Sequence, residues 1–286
     1  MNEEKTSTEK YHTHISSKHN LFDLNLKEVW NYRDLIILFT KRNFKVTYKQ
    51  TILGPAWLFI NPILSSFVYY IIFNRIAGLG TDGVPQMLFY LASNAIWTFF
   101  STCVTTNATT FTANAGVFGK VYFPRLAMPI SSVLSSVVQF GIQMIIVVIL
   151  FVIYVITGQI HPHWFALFLL PVILLVLGMM GLGVGIIISS LTTKYRDLSI
   201  LVGFGMQLWM YITPVVYPIS QTGSMFRYLM MVNPVSAPVE LFRYSLLGVG
   251  VINPISLIWS VVFAFLVVFF GIMIFNKVER TFMDTV

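Results

Sequence analysis

The stretch LAMPISSVLSSVVQFGIQMIIVVILFVIYVITGQIHPHWFALFLLPVILLVLGMMGLGVGIIISSLTT, residues 126–193, runs for 68 positions without one Asp, Glu, Lys or Arg. A charge at the centre of a bilayer costs about 2.5–3.5 kcal/mol on the insertion scale, so a run this long is membrane-embedded. One helical span takes about 20 residues, so the run is too long for a single crossing. Gly158-Gln-Ile-His-Pro-His163 supplies the turn between two spans.

The same marking, carried outward, gives four further charge-free stretches: Thr51 to Asn74, Gly83 to Gly119, Leu198 to Phe226 and Tyr244 to Asn276. Six transmembrane helices are therefore predicted, at about 52–73, 86–105, 130–157, 164–190, 198–219 and 254–276, in an all-α membrane domain over residues 51–286. Composition agrees, with 56% of residues hydrophobic and 10% charged. The +7 balance does not point to nucleic acid, because the cations flank apolar runs instead of gathering on a water-facing surface. Cys103 is the only cysteine, so no internal disulfide is possible. The polar residues 1–22 read as a disordered tail, and the first span is expected to serve as its own insertion signal.

Orientation follows from Lys and Arg in the connections. With the amino terminus inside, nine cations fall in the amino-terminal region, and Lys120, Arg125, Lys194, Arg196, Lys277 and Arg280 bring the inner side to 15. Only Arg75, Arg227 and Arg243 lie on the outer side. Both termini are thus expected in the cytoplasm of a multi-pass membrane protein.

Two segments do not fit a simple loop. Residues 23–50 interleave Leu24, Leu26, Val29, Trp30, Leu35, Ile36, Leu38 and Phe39 with charged residues, which predicts an amphipathic helix along the cytoplasmic surface. It either anchors to anionic headgroups or docks a cytoplasmic partner. Between the fifth and sixth spans, Tyr228 to Val239 is charge-free but too short to cross. A pair of short re-entrant or interfacial helices is predicted there, broken at Asn233-Pro234; an amphipathic outer loop is the alternative.

Absences narrow the chemistry. No ionisable carboxylate or cation sits inside a predicted span, which disfavours a proton-driven carrier. Gly116-Val-Phe-Gly119-Lys120-Val121 is no phosphate loop: its first glycine is two residues too close, and a valine stands where magnesium needs Ser or Thr. His161 and His163 flank Pro162 with no third ligand in sight and read as a polar turn. What remains is a bundle without its own energy source, with two basic elements on its inner side. In the first, Asn114 to Arg125, the apolar Phe118, Val121, Tyr122 and Phe123 sit beside Lys120 and Arg125. Exposed, they would make a protein contact; otherwise the segment is a hinge packed back under the bundle. The second is Thr192 to Ser199, where Asp197 could cap the following helix.

The ordered set Asn31-Tyr-Arg-Asp-Leu35, Lys45-Val-Thr-Tyr-Lys-Gln-Thr-Ile-Leu-Gly-Pro55, Lys120-Val-Tyr-Phe-Pro-Arg125, Tyr195-Arg-Asp197 and Thr213-Pro-Val-Val-Tyr-Pro218 resembles the permease subunit of bacterial ATP-binding-cassette exporters for cell-surface polysaccharides. O-antigen, capsule and teichoic-acid exporters belong to that group. The likeness covers the chain from about Leu26 to its carboxyl end. It implies a homodimer of six-span subunits around a channel, two separate ATPase subunits, a lipid-linked glycan as cargo, and surrounding membrane lipids. No cofactor would be bound by this chain; ATP and magnesium would sit on the partner.

Carried onto this sequence, the resemblance makes Asn114 to Phe123, with Arg125, the coupling element. It makes the segment with Trp30, Arg33, Asp34, Lys45 and Lys49 the interface helix. Arg227, Asn233, Glu240 and Arg243 would belong to an outer gate.

A glycan channel should mix aromatic faces with neutral polar groups and avoid fixed charge. Candidates on the first span are Trp57, Phe59, Asn61, Tyr69 and Tyr70; on the second, Trp97 and Phe100; on the fifth, Gln207, Trp209 and Tyr211. Interfacial aromatic belts explain the same pattern. Gly54-Pro55, Asn61-Pro62, Thr213-Pro214 and Tyr217-Pro218 are expected to kink the first and fifth spans. The competing readings are a membrane-embedded transferase acting on lipid-linked sugars, for which His161, His163 and Glu240 are the available acid–base groups, and a passive channel.

Overall fold

A computed structural model describes residues 26–49, 54–118, 123–195 and 197–282. The expected tail, residues 1–22, lies outside the described residues, as do Lys120, Val121, Tyr122 and Arg196. The protein is an all-helical integral membrane protein, with no strand among the described residues. Two helices, α1 (Leu26–Asn31) and α2 (Arg33–Lys49), precede the bundle. The first span comprises a 3-10 turn (Gly54–Ala56), α3 (Trp57–Tyr69) and a π-helical end (Tyr70–Ile76). Then come α4 (Gln86–Ala108), α5 (Thr110–Phe118), α6 (Ala127–Ile156), the single turn α7 (Trp164–Leu167) and α8 (Leu170–Thr192). The chain closes with α9 (Leu198–Ile212), α10 (Ser224–Val232), α11 (Ser236–Leu247) and α12 (Pro254–Phe282). Five of these segments, Gly54–Ile76, α4, α6, α8 and α12, are long and apolar enough to cross a membrane, and α9 is a shorter apolar helix of 15 residues.

Glycines decide the centre. On α8, a Cβ at Gly181 would collide with Cys103, and one at Gly185 with Asn107, both on α4. On another face of α8, a Cβ at Gly183 would come within 2.7 Å of the Val267 backbone on α12. Hydrocarbon gives apolar helices no hydrophobic reason to associate, so close backbone approach and the dispersion contacts that follow hold such a seam. Thus α8 is clasped between α4 and α12. A second cluster gathers at the end of the bundle where α1 and α2 lie: Val29, Ile36 and Phe39 pack with Phe111, Phe118, Phe123, Ile272 and Phe275. Within it Phe111 stacks on Phe275 at 4.4 Å.

Several boundaries differ from the sequence reading. The fifth span was expected to reach residue 219 with kinks; it stops at Ile212 because Thr213, preceding Pro214, is extended (φ −99°, ψ 141°). The fourth starts at Leu170, with Pro171 in its first turn where a missing amide hydrogen is harmless, and α7 stands apart. The last continues to Phe282. Pro62 is accommodated inside α3. The amphipathic segment is interrupted at Tyr32. Its buried stripe is Val29, Ile36 and Phe39, spaced seven and three, whereas Trp30 and Leu38 are exposed. Apolar residues alone did not show which side of the helix faces α6; the seam is fixed by Thr40 and Ser135, whose hydroxyl donates to the Thr40 carbonyl at 3.3 Å.

Candidate functional site

Three regions carry the sequence-predicted residues. At the α1–α2 end, α4 stops at Thr109 and the chain turns into α5, tied to α8 by Thr192 Oγ1 donating to the Ala108 carbonyl at 2.9 Å. The Phe111 amide donates to Ser189 Oγ at 3.2 Å. Phe118 and Phe123 are buried at 4% and 5%, which for these two residues favours the packed-back reading over the exposed one. Arg125 lies over the Phe118 ring at 5.7 Å, and the half-buried Asn114 donates to the Thr110 carbonyl. Of the interface-helix candidates, Trp30, Arg33, Asp34, Lys45 and Lys49 are all exposed and form a charged and aromatic surface.

The second region is a polar groove between α3, α4 and α6. Its upper part, about 400 Å³, is lined by Trp57, Asn61, Ser65, Asn94, Thr98, Gln139 and Gln143, with Leu58 and Pro62. Its lower part, about 660 Å³, runs on toward α2 and α5. Gln139 belongs to both. The periodicity explains the lining: Asn94, Thr98, Thr102 and Thr106 recur every fourth residue on α4, as do Ser132, Ser136 and, one step closer, Gln139 with Gln143 on α6.

Of the predicted lining residues, only Trp57 and Asn61 reach this groove. Trp97 and Phe100 are buried at 5% and 0%, and Phe100 meets Trp209 edge-on at 5.3 Å, so these three are packing, not lining. Tyr69 sits against Tyr90 and donates to Met210 Sδ at 3.5 Å, while Tyr70 accepts from Arg75 Nε at 2.7 Å. Phe59 is half-buried and Gln207 and Tyr211 are exposed, away from the groove. Marking charged positions could not reveal Ser65, Asn94, Thr98, Gln139 or Gln143, because they are neutral; their four-residue spacing was the available signal.

The third region is the predicted pair of short helices. They are α10 and α11, broken at Asn233-Pro234. Asn233 Oδ1 accepts from Trp209 Nε1 and from the Val235 amide, both at 3.1 Å, and its Nδ2 donates to Thr213 Oγ1 at 2.9 Å, joining the end of α9 to the break. Glu240 and Arg243, both assigned to the outer gate, form an ion pair at 2% and 1% exposure. The Val251 amide donates to Glu240 Oε2 at 2.9 Å, and Arg243 lies over Phe89 of α4 at 4.7 Å. Burial pulls the Arg243 pKa down and Asp82 works to raise it. Arg227 is exposed and bonds the Ser220 carbonyl. His163 is exposed, stacks on Tyr244 at 4.0 Å and has its Nδ1 3.3 Å from the Tyr244 carbonyl, whereas Glu240 is committed to its ion pair with Arg243. No group of three or more His, Cys, Asp or Glu side chains that could hold a metal ion is found among the described residues.

Comparison with known proteins places this geometry. Residues 34–247 match the ABC-2 type transporter family. Two Klebsiella pneumoniae proteins named O-antigen export system permease protein RfbA are 27% and 29% identical over 252 and 254 residues, in each case 88% of this chain and 94% of theirs. A Myxococcus xanthus protein of the same name is 29% identical over 212 residues, 73% of this chain and 78% of its own.

Proposed function

Because the chain belongs to the ABC-2 type transporter family, we propose that it is the membrane-spanning subunit of an exporter that carries a lipid-linked polysaccharide across the bacterial inner membrane. The observation that carries this reading is the end-to-end likeness to proteins named as O-antigen export permeases. The polar groove on an otherwise apolar bundle, with Arg42 its one charged side chain among the described lining residues, supports it, since a hydrated glycan needs hydrogen-bonding partners along its way and hydrocarbon offers none. Work comes from a separate cassette ATPase that binds ATP and magnesium, two copies beneath two copies of this chain, with both termini cytoplasmic. The exposed charged face of α1 and α2, with α5 beside it, docks that subunit, and α10 with α11 covers the exit. Either an O-antigen-like or a teichoic-acid-like polymer is the cargo. The transferase alternative is weakened by Glu240, whose carboxylate is committed to Arg243 and the Val251 amide.

The test is co-expression of the tagged chain with a cassette ATPase, followed by reconstitution into liposomes. Co-purification and ATP-dependent outward movement of lipid-linked glycan are expected from the pair, and neither ATPase activity nor pumping from this chain alone. Pumping by the chain alone would sink the reading.

A further inference from the structure

We infer that the groove between α3, α4 and α6 is a binding site for an uncharged, hydroxyl-rich glycan segment. The inference rests on the exporter reading and narrows its cargo to a polymer whose repeats carry no fixed charge.

The upper part is built for a polar guest. Gln143 is 8% exposed, and its buried Oε1 has no hydrogen-bond partner. Gln139 lies one turn away on the same helix, and Asn61 of α3 and Asn94 of α4 line the same pocket. Each amide offers both donors and an acceptor, as a sugar hydroxyl does, so the two can satisfy one another; a lipid tail would leave Gln143 unpaired. Trp57, 38% exposed, gives the apolar C–H face of a sugar ring a surface to rest on.

The lower part adds a sign to this. Three of its hydroxyls donate along their own helices: Ser132 to the Met128 carbonyl at 3.2 Å, Ser136 to the Ser132 carbonyl at 3.1 Å, and Thr106 to the Thr102 carbonyl. What these three turn to the groove is lone pairs, beside the amides of Asn43 and Asn114. Lone pairs accept from sugar hydroxyls and repel phosphate or carboxylate oxygens. The only charged side chain among the described lining residues of either part is Arg42, at the α2 end. A polymer with an anion in every repeat would pass through without a counter-charge. A single cation at the mouth suits a single anionic linkage at the end of a chain.

The test uses cells in which the full chain and its ATPase are expressed over a deletion. The surface polymer that depends on the chain is analysed for phosphate and uronate, and repeats free of both are expected; an anion in each repeat overturns the inference. In the same cells, Gln143→Leu and Asn94→Leu, which replace amides with apolar groups of similar size, should cut export about tenfold while membrane levels and ATPase co-purification hold. Should either fail to accumulate, Trp57→Leu at a partly exposed position supplies the same readout. Unchanged export from the variants overturns the site yet leaves the exporter reading standing. If deletion of the whole chain left the surface polymer unchanged, both would fall.

Discussion

The first and second spans are both apolar and 23 residues long, yet 78% of the most apolar window of α4 is buried inside the protein and only 17% of that of Gly54–Ile76. Hydrophobicity does not separate them; neighbours do. Opposite α4 lies the glycine face of α8, which lets two backbones approach, and above it sits Arg243 over Phe89. The first span meets no such face, and Leu64, Phe67, Val68 and Ile72 are left outward. In a bilayer, where lipid is as apolar as leucine, a helix is central because of what is small beside it.

The strongest way to break this contrast is Arg243→Ala, which leaves Glu240 buried without its partner and should cost about 3–5 kcal/mol. A large fall in the thermal midpoint of the detergent-solubilised protein is expected, with much of it recovered when Glu240→Gln and Arg243→Met are combined. Stability unchanged by Arg243→Ala would mean the pair is solvated and α4 less enclosed than it stands. Gly185→Val should cost about 1–3 kcal/mol by forcing α8 from α4 at Asn107. Its midpoint is to be compared with that of Gly203→Val, where a Cβ meets nothing within 4 Å; equal shifts would refute the seam. The smallest effect is reserved for the first span: Val68→Ala and Ile72→Ala should stay within about 0.5 kcal/mol in the solubilised subunit. A shift as large as that of Gly185→Val would put the first span in the core after all.

Much of this was legible from residue types. Charge-free runs marked five spanning helices to within a few residues at most ends, and Asn233-Pro234 marked the break between α10 and α11, because both rest on local rules: desolvation of charge and the missing amide of proline. What depends on partners in space was not legible. Arg243 and Glu240 could be assigned to an outer gate, but nothing in the sequence tells that Phe89 and the Val251 amide wait for them. For Phe118 and Phe123 the exposed and packed-back readings stayed open, because the residues that enclose this cluster, Phe39 on α2 and Phe275 on α12, come from distant segments. Trp97 and Phe100 drew attention as aromatics, while the groove is lined by amides and hydroxyls that a search for charge passes over.

The final helix has 29 residues, and at about 1.5 Å each it measures about 43 Å without interruption, longer than the hydrocarbon layer is thick. One end is pinned to the corner of the short helix pair, through Trp259 Nε1 to the Val232 carbonyl at 2.9 Å and Ser260 Oγ to the Pro234 carbonyl at 2.6 Å. Near the other, Phe275 is wedged against Phe111. A single unbroken rod therefore links the Phe111 contact of α5 to the corner of α10 and α11.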